Sequence, residues 1–324
     1  MLQDAFGRSF EYLRLSITEV CNFSCTYCLP DGYRKKPGPG FMRLDEIARL
    51  ACGFADLGTW KIRITGGEPS VRKDFVQVIE TLAATPGVRR LATTTNGYRL
   101  NKNAKTWREA GLQAINVSVD SFRDDVFHKV TGHDRLAEVL RGIEACLEAD
   151  YDAVKINAVL LKGINDQDLD LFLDYVKHRP VSMRFIELMR TGDNADYFGR
   201  YHVSASVVSE ALERAGWVRK TRAAGAGPAV EYVHGDYVGS IGLIAPYAKD
   251  FCKSCNRLRV SALGKLHLCL FTEFGMDLRP LLQADDQLDE LKAFLGKSLQ
   301  SKAVSHFLDD GITGGNHRFA DIGG

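Results

Sequence analysis

The sequence lacks long apolar runs. Among its 324 residues, no stretch approaches the about 20 consecutive apolar residues needed to cross a bilayer. Met1 to Phe10 carries no apolar core of signal-peptide length, so a cytoplasmic protein without membrane contact is expected. An excess of either charge is missing too. Lysine and arginine number 42 against 41 aspartates and glutamates. No global field therefore draws the chain to nucleic acid, and an anionic substrate must be met by a local cluster of cations. No internal repeat is present. What remains, 45% apolar and 26% charged residues, is ordinary for a globular enzyme built as one large α/β domain or a domain with a smaller appendage.

A missing fourth thiol says more. Cys21, Cys25 and Cys28 are spaced C-x3-C-x2-C directly after an apolar run that reads as a strand. A structural zinc site or a simple ferredoxin-type cluster normally takes four protein ligands. A triplet instead holds an iron–sulfur cube by three corners and leaves one iron open to a ligand that is not protein. A zinc knuckle completed by a distant ligand is the alternative. Cys252, Cys255 and Cys269 form a second triplet, for which an iron–sulfur cluster and zinc with His267 as fourth ligand stand level. Cys52 and Cys146 lie in apolar-periodic segments and read as small buried hydrophobes. Eight cysteines in a cytoplasmic chain argue for metal or redox chemistry rather than disulfides.

The rest of the N-terminal half alternates. Strand signals at 12–17, 60–65, 88–94, 114–119, 153–161 and 181–187 are separated by helical periodicity at 44–57, 73–84, 101–110, 135–149 and 167–177. That pattern predicts a parallel sheet wound by crossovers, open or curled towards a barrel. After Gly192 it breaks up into a helix at 204–215, a glycine-rich stretch, short strands, a hairpin turning at Leu263-Gly264 and a last helix at 287–299. A division into residues 1–195 and 196–324 is expected.

In parallel barrels function collects at the C-terminal strand ends. There stand the first cysteine loop, Thr65-Gly66-Gly67-Glu68-Pro69, Thr94-Thr95-Asn96-Gly97, Ser118-Val119-Asp120-Ser121 and Glu187-Leu188-Met189, with Lys155 and Asn157 on the fifth strand. The paired glycines are expected to let a ligand approach the backbone. Arg14, Arg63 and Lys155 interrupt apolar strands, where a buried charge must find a partner. A salt bridge to Glu68 or Asp120 is one reading. An interior pocket for phosphates or carboxylates is the better one, because three such cations coincide. Arg257 and Arg259 alternate onto one side of a strand, a fork of donors suited to phosphate rather than a solvated edge.

The first triplet, with Tyr27 just before its last cysteine, resembles the signature of radical S-adenosylmethionine (SAM) enzymes. Arg63 to Pro69, Thr94 to Gly97, Asn116 to Ser121, Arg184 to Met189, Asp250 to Arg259, Gly264 to Leu270 and the terminal Gly323-Gly324 follow in order. From about Phe10 to Gly324 the set closely resembles the GTP 3′,8-cyclase family, whose reaction opens molybdenum cofactor biosynthesis.

The resemblance implies a partial (β/α)6 TIM-like barrel of the radical SAM type with a C-terminal extension of short antiparallel strands and helices. It implies two 4Fe–4S clusters, one on Cys21, Cys25 and Cys28 that binds SAM, the other on Cys252, Cys255 and Cys269 with an open iron towards guanine. Tyr27, Gly67, Ser118 and Met189 match SAM-contacting positions. Arg14, Arg63, Thr94, Lys155, Arg257, Leu258 and Arg259 match GTP-contacting ones. Cleavage of SAM would give a 5′-deoxyadenosyl radical that takes the 3′ hydrogen of GTP, after which C3′ bonds to C8. Gly323 and Gly324 would thread into the site and help initiate SAM cleavage, where the plain alternative is a disordered end. A reductant protein and the next enzyme, cyclic pyranopterin monophosphate synthase, are implied partners of a monomer or homodimer. Two rivals are a radical SAM enzyme that modifies a peptide with an auxiliary cluster, and a non-catalytic zinc protein.

Overall fold

The period-two segments become strands because one face of each is apolar and packs on helices while the other looks into a polar interior. A computed structural model describes residues 1–35, 37–221, 225–272, 274–308, 310–314 and 319–322. In it, β1 (Tyr12–Ser16), β2 (Lys61–Thr65), β3 (Arg90–Thr95), β4 (Ala114–Ser118), β5 (Ala153–Leu160) and β6 (Val181–Glu187) lie side by side and parallel. The intervening helices are α1 (Leu44–Asp56), α2 (Phe75–Ala83), α3 (Leu100–Glu109), the pair α4 (Asp124–Thr131) and α5 (Leu136–Glu148), and α6 (Leu169–Lys177). On β5, Val154, Ile156, Ala158 and Leu160 are buried, while Lys155 and Asn157 face a central cavity. Phe54 of α1, Ile79 of α2, Ile143 of α5 and Phe172 of α6 belong to the same apolar core as these strands.

The C-terminal part adds β7 (Val218–Arg219), β8 (Val230–Val233), β9 (Ser240–Ile244), β10 (Arg257–Val260), β11 (Lys265–His267) and β12 (Met276–Asp277). Among the described residues all twelve strands form one sheet in the order β12-β11-β10-β1-β2-β3-β4-β5-β6-β9-β8-β7. Hairpin pairing is antiparallel as expected. Two of these strands do more, since β10 joins β1 and β9 joins β6 in parallel, widening the barrel wall at both edges. The reason lies in β10 itself: Leu258 and Val260 continue the buried outer layer and Arg257 and Arg259 continue the inner one. No helix among the described residues is long and apolar enough to cross a membrane.

Two helices were not legible in the sequence, α4 and Ala195–Tyr201. Both support the first cysteine loop.

Candidate active site

That loop is seated from three sides. Below it, the amide of Gly67 donates to the Thr18 carbonyl at 3.0 Å and that of Glu68 to Val20 at 2.8 Å. A Cβ on Gly67 would stand 2.4 Å from the Val20 oxygen; Gly66, at φ +140°, would place one 2.2 Å from Thr18. The paired glycines thus admit the chain's own backbone first, although both also line the cavity. From the α4 side, Ser24 and Thr26 donate their amides to Thr131 and Val130 at 3.2 and 2.9 Å. Phe23 stacks on His133 with 4.7 Å between ring centroids. From the third side the Tyr197 hydroxyl meets Thr26 Oγ1 at 2.9 Å.

The strand-end acids are fully committed to this scaffold. Glu68 is buried and accepts from Ser70 N and Oγ, Thr95 Oγ1 and the Asn96 amide at 3.0, 2.6, 2.8 and 2.7 Å. Asp120 accepts from the Tyr27 hydroxyl at 2.9 Å and the Val159 amide at 2.8 Å. Burial pushes Asp120 up to about 6. Neither acid is within salt-bridge distance of Arg63 or Lys155 among the described residues, so the simple ion-pair reading of those cations falls.

The second triplet is fastened by other means. Arg8, paired with Asp4 at 2.7 Å, donates to the carbonyls of Cys252, Ala303 and Val304 at 3.1, 2.7 and 2.8 Å. Ser305 Oγ lies 3.7 Å from Cys252 Sγ, and Lys302 Nζ donates to the Leu268 carbonyl. His267, the alternative zinc ligand, is buried on β11 with Nδ1 3.4 Å from Thr272 Oγ1. Among the described residues it is not part of the cavity wall, whereas Cys269 is.

Both triplets line one cavity, with a lattice of cations on the wall between them. Strand register makes the lattice regular. Arg259 on β10, Arg14 on β1 and Arg63 on β2 are direct neighbours, and one step below them lie Arg257, Tyr12 and Lys61. Parallel strands lie about 4.8 Å apart, so three guanidinium side chains stand abreast. Lys155 and Arg184 face the cavity from β5 and β6. Arg63 is held by Tyr12 Oη at 2.6 Å, Asn116 Oδ1 at 2.8 Å, the Thr93 carbonyl at 3.0 Å and Thr94 Oγ1 at 3.4 Å. Arg184 pairs with Glu231 at 3.0 Å. Among the described residues, buried Arg257 Nη1, Arg259 Nε and Arg184 Nε have no hydrogen-bond partner, so each is a donor that an anion in the cavity would satisfy.

Electrostatics separate the two ends. Burial raises Cys21 to about 11 and Cys28 to about 12, and Cys25 goes well up as well, helped by Asp120. At the other end burial also acts upward, but hydrogen bonds from His306 and Ser305 outweigh it and bring Cys252 to about 7. Burial acts upward on Cys255 too, but Arg257 and Lys302 outweigh it and lower that thiol. Burial first, then Arg184 and Arg63, holds Lys155 down at about 7.

Of the residues singled out in the sequence, all six triplet cysteines, Tyr27, Gly67, Ser118, Met189, Arg14, Arg63, Thr94, Lys155, Arg257 and Arg259 line the cavity. Leu258 does not: its side chain is in the core, so only its backbone can meet a ligand there. Gly323 and Gly324 lie outside the described residues; the preceding short helix, Phe319–Ile322, contributes Phe319 and Ala320 to the cavity wall. Lys61, Arg184 and Tyr12 were missed. Lys61 and Arg184 are charges set in apolar strands in the way that drew attention to Arg63, whereas Tyr12 reads as an ordinary apolar strand residue.

Thiols are the donors that an iron–sulfur cluster takes, and those of both triplets line a shared cavity; among the described residues the second triplet adjoins buried cationic donors without hydrogen-bond partners. A parallel partial barrel with such a site at its strand ends defines an enzyme of the radical SAM class. Residues 15–176 match the family model described as the Radical SAM superfamily, and residues 181–308 match Molybdenum Cofactor Synthesis C. Similar proteins named GTP 3′,8-cyclase include one from Vibrio parahaemolyticus serotype O3:K6 (strain RIMD 2210633), 55% identical over 99% of this chain and 97% of the relative. Another, from Stenotrophomonas maltophilia (strain R551-3), is 56% identical over 100% and 99%. The crystal structure of Streptococcus suis SuiB bound to S-adenosylmethionine shares the fold, with a TM-score of 0.61 at 11% identity over 91% of this chain and 68% of that one. The chain belongs to the GTP 3′,8-cyclase family of radical SAM enzymes.

Proposed function

We propose that this enzyme converts GTP to (8S)-3′,8-cyclo-7,8-dihydroguanosine 5′-triphosphate, the first step of molybdenum cofactor biosynthesis. The observation that carries the reading is one cavity lined by both cysteine triplets, with the cation lattice between them. Full-length similarity to proteins named GTP 3′,8-cyclase supports it.

In this reading Cys21, Cys25 and Cys28 hold a 4Fe–4S cluster whose open iron takes SAM, beside Tyr27, Gly67, Ser118 and Met189. Cys252, Cys255 and Cys269 hold a second one at the guanine end. When bound, the reduced first cluster and SAM supply a carbon radical able to take a hydrogen from ribose C3′. Everything else is the chain's task. Arg14, Arg63, Lys155, Arg257 and Arg259 neutralise the triphosphate, with Thr94 and the Leu258 backbone beside them. Fixing the triphosphate fixes which ribose hydrogen is presented, a matter of placement rather than acid–base chemistry. The barrel wall shelters the reacting carbon from solvent. No general base is required.

Residues 1–195 form the SAM-binding part and 196–324 the part that completes the nucleotide site. We also propose that Gly323 and Gly324, which lie outside the described residues, help initiate SAM cleavage; cavity lining by the preceding Phe319 and Ala320 supports this. Deleting both glycines is expected to abolish turnover at unchanged iron content, and normal turnover would remove the role. Electrons come from a reductant protein in the cytoplasm, the product passes to cyclic pyranopterin monophosphate synthase, and the enzyme acts as a monomer or homodimer. The test is anaerobic. About eight irons per chain with visible absorption, and formation of 5′-deoxyadenosine with loss of GTP on adding SAM and dithionite, support the reading. Colourless protein carrying zinc would end it.

A further inference from the structure

One member of the lattice is not a cation. Tyr12 sits in β1 between Lys61 and Arg257, directly below the row formed by Arg259, Arg14 and Arg63. It is 5% exposed. Lys61 Nζ lies 4.7 Å from the centre of its ring. Its Oη accepts a hydrogen bond from Arg63 Nε at 2.6 Å, a short contact with a charged donor, the kind of bond that gains most from a charged acceptor. Among the described residues Oη makes no other hydrogen bond, so a proton on it would have no acceptor. A buried phenol that accepts from a guanidinium and donates to nothing is poorly satisfied as a neutral group and well satisfied as an anion.

We propose that Tyr12 is the resident counter-anion of the phosphate pocket: it stands as a phenolate among the cations while the pocket is empty and takes up a proton when a polyphosphate arrives. The proposal rests on the phosphate-binding reading above. Its logic is charge balance. Five cations packed around one side chain repel one another, and a single internal negative charge relieves this without admitting a foreign ion. Once phosphates enter, that charge repels them, and protonation removes the repulsion.

The groups that face Tyr12 come from every neighbouring element. Arg14 is on its own strand, Lys61 and Arg63 on β2, and Arg257 and Arg259 on β10. Lys155 on β5 and Arg184 on β6, the latter paired with Glu231, lie further along the same cavity. Burial pushes the phenol up, but Arg63, Arg14 and Lys61 outweigh it and bring Tyr12 to about 7. Lys155 is held near the same value and also takes up a proton when phosphate binds. A comparison of variants must therefore separate the two.

The probe is inorganic tripolyphosphate, added anaerobically to the cluster-loaded protein at about pH 8, between the shifted value and the ordinary tyrosine value. Two signals are read: the near-ultraviolet phenolate band by difference absorption, and proton uptake by calorimetric titration in buffers of different ionisation heat. Wild type is expected to lose phenolate absorption and to take up about one proton more than Tyr12→Phe, whose remaining uptake belongs to Lys155. Binding with no loss of the band, or with equal uptake by the two proteins, overturns the proposal. No binding of tripolyphosphate at all refutes the phosphate pocket itself, and the proposal with it. Should Tyr12→Phe not fold, wild type alone decides. Its phenolate band must titrate near neutrality without ligand and move up with tripolyphosphate; a band that titrates only in the ordinary tyrosine range overturns the idea.

Discussion

Replacing Arg259 by methionine should stabilise the empty protein and weaken nucleotide binding at the same time. Arg259 neighbours Arg14 across the strand pair and Arg257 two residues away on its own strand. Like charges about 5 Å apart repel by about 3 kcal/mol at an effective dielectric constant near 20. At about 7 Å the figure is about 2 kcal/mol. Burial and Arg257 hold Arg259 down at about 10, while Cys269 and Cys255 act in its favour. Subtracting that attraction leaves an expected gain of about 1–3 kcal/mol in Arg259→Met, or a rise in Tm of about 1–5 °C for a chain of this length. Methionine keeps most of the stem and leaves no large cavity. The same change removes a charged donor that is buried and, among the described residues, unpartnered at Nε, and that the proposed site sets against the phosphates. Such a contact is worth about 1.5–3 kcal/mol, so Kd for GTP should rise by about 10- to 150-fold. Scanning calorimetry of the cluster-loaded, nucleotide-free protein and titration with GTP read the two effects. A lower Tm with unchanged Kd would show that Arg259 holds the fold together and that the lattice is not a ligand site.

Lys155 has a folded-state value near 7, below its ordinary one. Between those two values the unfolded chain binds more protons, so the empty enzyme gains stability as pH rises through this window. In the proposed site it is the ammonium that meets the triphosphate, so GTP affinity should fall across the same window, less steeply in Lys155→Arg; affinity independent of pH would contradict this. Gly67→Ala would put a methyl 2.4 Å from the Val20 carbonyl and displace the first cysteine loop. Iron content after anaerobic reconstitution should drop by about half, and a full complement would show that the loop has room to move. Glu68→Gln would turn an amide donor on one of the buried groups now bound to Glu68, costing about 1–3 kcal/mol by urea denaturation; an unchanged midpoint would make this clamp dispensable.

Most of the barrel was legible because its strands are apolar runs set with inward-facing polar residues, most regularly on β5, and its longer helices carry period 3.6 over at least nine residues. What escaped was short or non-local. Helix α4 has Asp124 and Asp125 in its first turn and Gly132 at φ +76° after its last, sound start and stop signals around only two turns of apolar pattern. Ala195–Tyr201 is seven residues long and buries none of them fully, so its stripe of Tyr197, Phe198 and Tyr201 is too short to stand out as a period. Yet these two helices seat the cysteine loop. The parallel edges made by β9 and β10 depend on partners more than fifty residues away in sequence, which no local window contains. At the site, thiol spacing and strand-internal cations were readable as chemistry. Lys61 and Arg184 carried the same signal and were passed over. The competing ion-pair reading could be decided only in three dimensions, where Glu68 and Asp120 turn out to be occupied with Ser70, Thr95, Asn96, Tyr27 and Val159.

If the cation lattice presents one ribose hydrogen to the radical, that hydrogen can be followed by label. Cluster-loaded enzyme is given SAM, dithionite and GTP deuterated only at C3′, and the 5′-deoxyadenosine released is weighed by mass spectrometry. Deuterium is expected in that 5′-deoxyadenosine, together with a cyclised nucleotide that has lost it. Release of 5′-deoxyadenosine without deuterium, with the label still in the nucleotide, would contradict it.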